Sequence, residues 1–238
     1  MAVFRLDKFL VSVGIGSRSE VKHLIKAGRV TVDDVIVKKA EEKVDTSVNI
    51  IKYNGNLLEY VENVYYMLNK PKGVVSATTD NLNATVVDLI KHGKHLDLFP
   101  IGRLDKDTEG LLIITNDGEL AHNLLSPRKH VRKKYYVELD GILTEKKAEI
   151  ISSGIELEDN FKTMPAEIEI TDDNRKVYIT ICEGKFHQVK RMFNYVDLNV
   201  TYLKRVSMGS LCLDENLPVG KYRELTADEL NKLKGDIK

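Results

Sequence analysis

The stretch Leu111-Leu112-Ile113-Ile114-Thr115 is apolar almost throughout and is closed by the turn residues Asn116-Asp117-Gly118. A strand with one wet face alternates apolar and polar residues, whereas a run of this length without alternation suits a strand buried on both faces. The chain must therefore build layers on either side of it. Further strand patterns lie at Val64–Leu68, Tyr135–Leu139, Ala166–Ile170 and Val177–Cys182, and helical patterns at Thr144–Ser152, His187–Val196 and Thr226–Lys234. Pro71 and Gly73 predict a turn over Asn69–Gly73. Strands and helices do not alternate regularly, which disfavours a doubly wound parallel sheet and favours an α+β fold with a mixed, largely antiparallel sheet and flanking helices.

The N-terminal segment reads as a separate small unit. Leu6, Phe9, Leu10 and Val13 fall at helical spacing until Gly14–Gly16 break the pattern. Ser17-Arg18-Ser19-Glu20 is a capping box that starts a second helix, which closes at Gly28. Val21, Leu24 and Ile25 form its apolar stripe, and Lys22, Lys26 and Arg29 lie along another side. Short β segments follow, with turns at Asp33-Asp34 and Asn54-Gly55. The polar stretch 59–63 is the expected linker, giving domains at 1–60 and 61–238.

Lys and Arg together number 36, as do Asp and Glu, so the net charge is formally zero. The average conceals segregation, and distribution matters more than the sum for a nucleic-acid partner. Arg5, Lys8, Arg18, Lys22, Lys26 and Arg29 face only Asp7 and Glu20 within residues 1–30, and five basic residues, Arg132 and Lys133 among them, lie in 127–136 with no acidic one. Either cluster is a candidate phosphate-binding surface or a solvated charged face. The first thirty residues lack the long apolar run of a signal peptide or membrane span, so a cytoplasmic location is expected. Cys182 and Cys212 stand alone and are read as small core residues, with neither a disulfide framework nor a zinc site indicated.

The segment with most chemical content is Gly102-Arg103-Leu104-Asp105-Lys106-Asp107-Thr108-Glu109-Gly110, just before the apolar strand. An acid on a loop feeding a rigid strand is held in one place, and flanking glycines let a large substrate approach closely. GRLDKDTEGLLIITNDG resembles the signature of the pseudouridine synthases, in which the aspartate of the R-L-D triplet is the nucleophile; Asp105 occupies that position. Lys133-Lys134-Tyr135 resembles the family's K-x-Y motif, and EGKFHQVKRMF at 183–193 resembles its third motif. RLDKFL and GSRSEVKHLIKAGRVTVD resemble the S4 RNA-binding domain. Together these place the chain near the ribosomal small-subunit pseudouridine synthase A branch.

The resemblance implies isomerisation of a uridine in ribosomal RNA, most closely that of the small subunit (16S), with no cofactor and no metal. The partner would be ribosomal RNA or a partly assembled subunit, and the protein a monomer away from membranes. It assigns Asp105 the nucleophile's role, with Lys190 as the cation that favours its charged form and Tyr135 as a stacking surface for the flipped base and a hydroxyl able to donate or accept a proton. Val189, Met192, Phe193 and Val196 form an apolar stripe on the helix bearing Lys190, which leaves that cation free to face a partner. Arg103 is implied as a wedge or phosphate contact and Arg191 as a phosphate contact; His187 is read as structural, and Tyr136 as the core residue of its strand. A 23S uridine, or a non-catalytic role in RNA binding or ribosome assembly, are the alternatives.

Overall fold

The computed structural model describes residues 3–58, 60, 63–91 and 96–237. Two compact units emerge, Met1–Val64 with Lys91–Asp97, and Tyr65–Ile90 with Leu98–Lys238. Of the expected linker at 59–63, Glu59, Val61 and Glu62 lie outside the described residues.

In the first unit, β1 (Val3–Arg5) leads into α1 (Leu6–Ser12) and α2 (Arg18–Lys26), followed by β2 (Val30–Val32), β3 (Val35–Ile36), β4 (Lys43–Asp45), β5 (Ile51–Tyr53) and β6 (Asn56–Leu57). Helix α2 starts as its sequence requires: Ser17 accepts from the Glu20 N–H while the Glu20 side chain accepts from the Ser17 N–H. Its stripe buries Val21 and Ile25 against Leu6, Phe9 and Leu10 of α1, with Val30, Val44 and Ile51 closing the core. Both tight turns hold left-handed residues, with φ of 50° and 64° at Asp33 and Asp34, and 48° and 81° at Asn54 and Gly55. Asp and Asn tolerate that region better than other side-chain-bearing residues.

The second unit is organised on one sheet of nine strands. In chain order these are β7 (Tyr65–Lys70), β8 (Phe99–Ile101), β9 (Glu109–Thr115), β10 (Lys133–Leu139), β11 (Glu167–Ile170), β12 (Lys176–Ile181), β13 (Val200–Met208), β14 (Leu211–Cys212) and β15 (Tyr222–Glu224). The principal order is β11-β12-β10-β13-β9-β7-β15, with β14 on β13 and β8 on β9. Every pairing is antiparallel except β13 with β9. The helices are α3 (Gly118–Leu125), α4 (Glu145–Ser152), α5 (Gln188–Asn194) and α6 (Ala227–Gly235). Among the described residues no helix is long and apolar enough to cross a membrane.

Strand β9 is the buried element that its apolar run predicts, with Leu111 through Ile114 all inaccessible. Leu111 and Ile113 join a core with Met67, Ile101, Leu120, Leu124 and Met208. The longest strand, β13, has no counterpart among the sequence-predicted elements. Its residues Thr201, Lys204, Arg205 and Ser207 interrupt any apolar rhythm, and pairing on both sides with β10 and β9 fixes it instead. Lys70, expected in a turn, is the last residue of β7, and the cysteines are not core residues: Cys182 is half-buried and Cys212 is exposed on the two-residue strand β14.

Candidate active site

Asp105 sits on the loop that joins β8 to β9, and the loop is pinned by hydrogen bonds to the carbonyls of Leu104, Asp105, Lys106 and Thr108. The Lys70 ammonium, fully buried at the end of β7, donates to the carbonyls of Asp105 (3.0 Å), Thr108 (2.8 Å) and Pro71 (3.1 Å). The Ser76 hydroxyl donates to the Leu104 carbonyl (2.8 Å) and accepts from the Leu104 N–H (3.0 Å), and the Gly73 N–H reaches the Lys106 carbonyl (2.8 Å). Burial pushes the Lys70 amine down to about 8, while the carboxylates of Asp105, Asp107 and Glu109 oppose that fall. An ammonium inside the loop thus replaces the water that exposed carbonyls would need.

Gly110 ends the loop at the point where β9 meets β13. Its φ is +101°, and a Cβ there would stand 2.3 Å from the Arg205 carbonyl oxygen. The close approach that requires this glycine is made by β13, so no substrate need be invoked for it. Gly102, at φ +76°, opens the same loop.

A cleft lined by Arg103, Asp105, Thr108, Tyr135, Lys185, His187, Val189 and Leu203 surrounds the Asp105 carboxylate. Lys190 Nζ lies 3.3 Å from Asp105 Oδ2 and 2.6 Å from Asp107 Oδ1, so one ammonium bridges two acids. That hydrogen bond from Lys190 holds the Asp107 carboxyl below its ordinary range. His187 Nε2 stands 3.6 Å from Asp105 Oδ1. Tyr135 points into the cleft from β10 and is buried, as strand alternation with its neighbour requires.

Comparison with known proteins decides the family. The model of the RNA pseudouridylate synthase family matches residues 64–195, and that of the S4 domain matches residues 4–50. The uncharacterized RNA pseudouridine synthase YtzG of Bacillus subtilis is 48% identical over 233 residues, covering 96% of this chain and 98% of the relative. The ribosomal small subunit pseudouridine synthase A of Vibrio cholerae is 40% identical over 227 residues, covering 95% and 97%. A crystal structure of a pseudouridylate synthase matches with a TM-score of 0.69 at 36% identity, covering 97% of this chain and 99% of that one. The chain belongs to the RNA pseudouridylate synthase family.

Within this pseudouridine synthase, Arg103 and Tyr135 line the cleft with Asp105, and Lys190 pairs with the Asp105 carboxylate. Arg103 is exposed at its rim, while Arg191 is tied to Asp159. The basic run 127–136 divides: Arg132 is exposed and paired with Glu167, whereas Lys133 is buried and donates to the carbonyls of Val131 (2.7 Å) and Cys182 (3.1 Å). Lys133 therefore presents no ammonium to a phosphate, because its place on the inward face of β10 turns it from solvent. Arg18, Lys22, Lys26 and Arg29 are exposed and enter no ion pair among the described residues; Arg5 is paired with Asp7 at 2.8 Å. Tyr136 is not the core residue of its strand: it is half-buried, with its ring 5.5 Å from Tyr178 and 6.1 Å from Tyr202.

Sequence reasoning passed over Lys70, Ser76, Glu183 and Gln188. Glu183 and Gln188 clamp the third motif: Gln188 Nε2 donates to Glu183 Oε2 (3.1 Å), and Gln188 Oε1 accepts from the Lys185 N–H (3.0 Å). The Asn-Lys-Pro-Lys-Gly stretch carried a signal for Lys70, since a lysine ending a buried strand needs acceptors.

Proposed function

We propose that the protein isomerises a specific uridine of small-subunit (16S) ribosomal RNA to pseudouridine, with Asp105 as nucleophile, as a cytoplasmic monomer with no cofactor. The bond between ribose C1′ and base N1 breaks, the ring turns, and a bond forms from C1′ to C5. The C5 proton leaves and N1 takes one up, so composition and oxidation state are unchanged and no redox partner is called for. Asp105 supplies the negative charge at the reacting nucleotide. Lys190 orients the carboxylate from one side, and Tyr135 offers the flipped base an aromatic wall.

The observation carrying this reading is the convergence of Lys190 and His187 on Asp105 beside Tyr135. The small-subunit substrate is supported by the name and 40% identity of the Vibrio cholerae relative. Arg103 and the exposed basic side of α2 supply the phosphate contacts. Pseudouridine mapping of ribosomal RNA from cells with and without the gene should show a single modification missing, in 16S RNA; loss in 23S RNA would reassign the substrate. Asp105→Asn enzyme should give no pseudouridine in that RNA while binding it within about threefold of wild type, because the substitution keeps shape and removes charge. Turnover by that variant at the wild-type rate would remove Asp105 from the chemistry.

A further inference from the structure

Phe186 is the exposed aromatic that the catalytic constellation leaves unexplained. Its side chain is 76% exposed, yet its ring stacks on the His187 imidazole with centroids 3.8 Å apart and planes 17° from parallel. His187 in turn stands 3.6 Å from the Asp105 carboxylate. The stack thus runs outward from the reacting acid and ends in an aromatic face open to solvent. Glu183 and Gln188 hold the loop that projects it, and His187 adopts φ 49° at the start of α5, so the ring is displayed on a fixed turn.

A single exposed apolar side chain is ordinary on a protein surface; what sets Phe186 apart is its place, stacked on the imidazole that faces the Asp105 carboxylate. A uridine flipped into the cleft leaves its neighbours unstacked, and an aromatic face beside the point of exit restores what they lose. Lys185 lines the same cleft, next to the ring in sequence, with its ammonium 5.0 Å from the centroid of the Phe161 ring. We infer that Phe186, backed by His187, is the stacking platform for a nucleobase flanking the target uridine. This assignment rests on Asp105 marking the place where the target base enters.

The chain contains no tryptophan, so Phe186→Trp introduces a single indole reporter at the platform. Total ribosomal RNA from a strain lacking the gene, labelled with tritium at uracil C5, serves as substrate, since isomerisation releases that tritium. Phe186→Ala should raise the RNA concentration for half-maximal rate about tenfold, the effect of losing one stacked base. Its maximal rate should stay within about twofold, and the slope of affinity against salt should not change, because stacking releases no counterions. Phe186→Trp should restore half-saturation, and its fluorescence should be quenched on RNA binding in an Asp105→Asn background. Wild-type half-saturation in Phe186→Ala, or unquenched indole at saturating RNA, would overturn the platform. A changed salt slope would also overturn it, in favour of a contact to phosphate. Active Asp105→Asn enzyme would instead count against the proposed nucleophile, so the two failures are read in separate variants.

Discussion

Lys190 shares its ammonium between Asp107 at 2.6 Å and Asp105 at 3.3 Å, and the closer of the two is the more exposed acid. Asp107 therefore tethers the cation beside Asp105. Lys190→Met should lower the single-turnover rate about a hundredfold, the scale of losing one oriented charge at a reacting centre. RNA affinity should change by less than about threefold; a defect in affinity that low salt repairs would make Lys190 a phosphate contact instead. Lys133 represents the opposite case, a cation taken out of RNA recognition by burial. Burial, and then the neighbouring Arg205 charge, push its amine down to about 8 from an ordinary 10.5. Between those two values the unfolded chain binds more protons than the folded one, so this group adds stability as pH rises and withdraws it as pH falls towards 8. In urea unfolding, wild type should gain about 2 kcal/mol over Lys133→Met between pH 7.5 and pH 9.5. The salt slope of RNA binding should be the same in both proteins, and a lower slope in the variant would return Lys133 to the RNA surface.

At the level of elements, the meeting of β9 and β13 decides where the Asp105 loop can lie. Their parallel pairing is confined to Lys204 with Glu109 and Arg205 with Gly110, directly after the loop. Gly110→Ala would drive a methyl group into the Arg205 backbone at a left-handed φ. The combined clash and strain should cost about 3 kcal/mol in chemical denaturation. Activity should fall even where the variant remains folded, since the loop is displaced with the strand; a change below about 0.5 kcal/mol would show that β13 yields at no cost. Much of this framework is legible in the sequence. The unbroken apolar run gives β9, the Ser17 and Thr226 capping boxes give the starts of α2 and α6, and Val189, Met192 and Phe193 of the expected stripe give the buried side of α5, which ends at Asn194 before Val196. What escapes is information carried by tertiary pairing. Strand β13 has polar residues that only its neighbours make compatible with a sheet. Lys70 and Lys133 are charged residues whose burial depends on carbonyls remote in sequence, such as Thr108 and Cys182. The Asp105 loop was legible because its chemistry is local, and its support was not because it comes from β7 and Ser76.

For the molecule as a whole, formal neutrality is compatible with an RNA substrate because charge is distributed unequally between paired and unpaired residues. Acidic partners take up many of the cations: Arg5 with Asp7, Arg132 with Glu167, Lys134 with Glu169, Arg191 with Asp159 and Arg223 with Asp214 and Glu229. Arg18, Lys22 and Lys26 on α2 stay exposed and outside any ion pair among the described residues, and their helix is anchored by an apolar face of its own. The phosphate contacts proposed for α2 lie in the first unit and that proposed for Arg103 in the second, to which every residue lining the Asp105 cleft belongs. Replacing Arg18, Lys22 and Lys26 together with alanine should reduce the slope of log affinity against log salt by about 2 to 3, at roughly 0.7 to 0.9 per phosphate contact. The exposed positions carry no core packing, so thermal stability should be unchanged within about 0.5 kcal/mol. Single-turnover rates at saturating RNA should stay close to wild type, because the variant meets the substrate less often and handles it in the same cleft. A salt slope that does not move would leave these three cations as a solvated face and shift backbone recognition to Arg103 and the rim of the cleft.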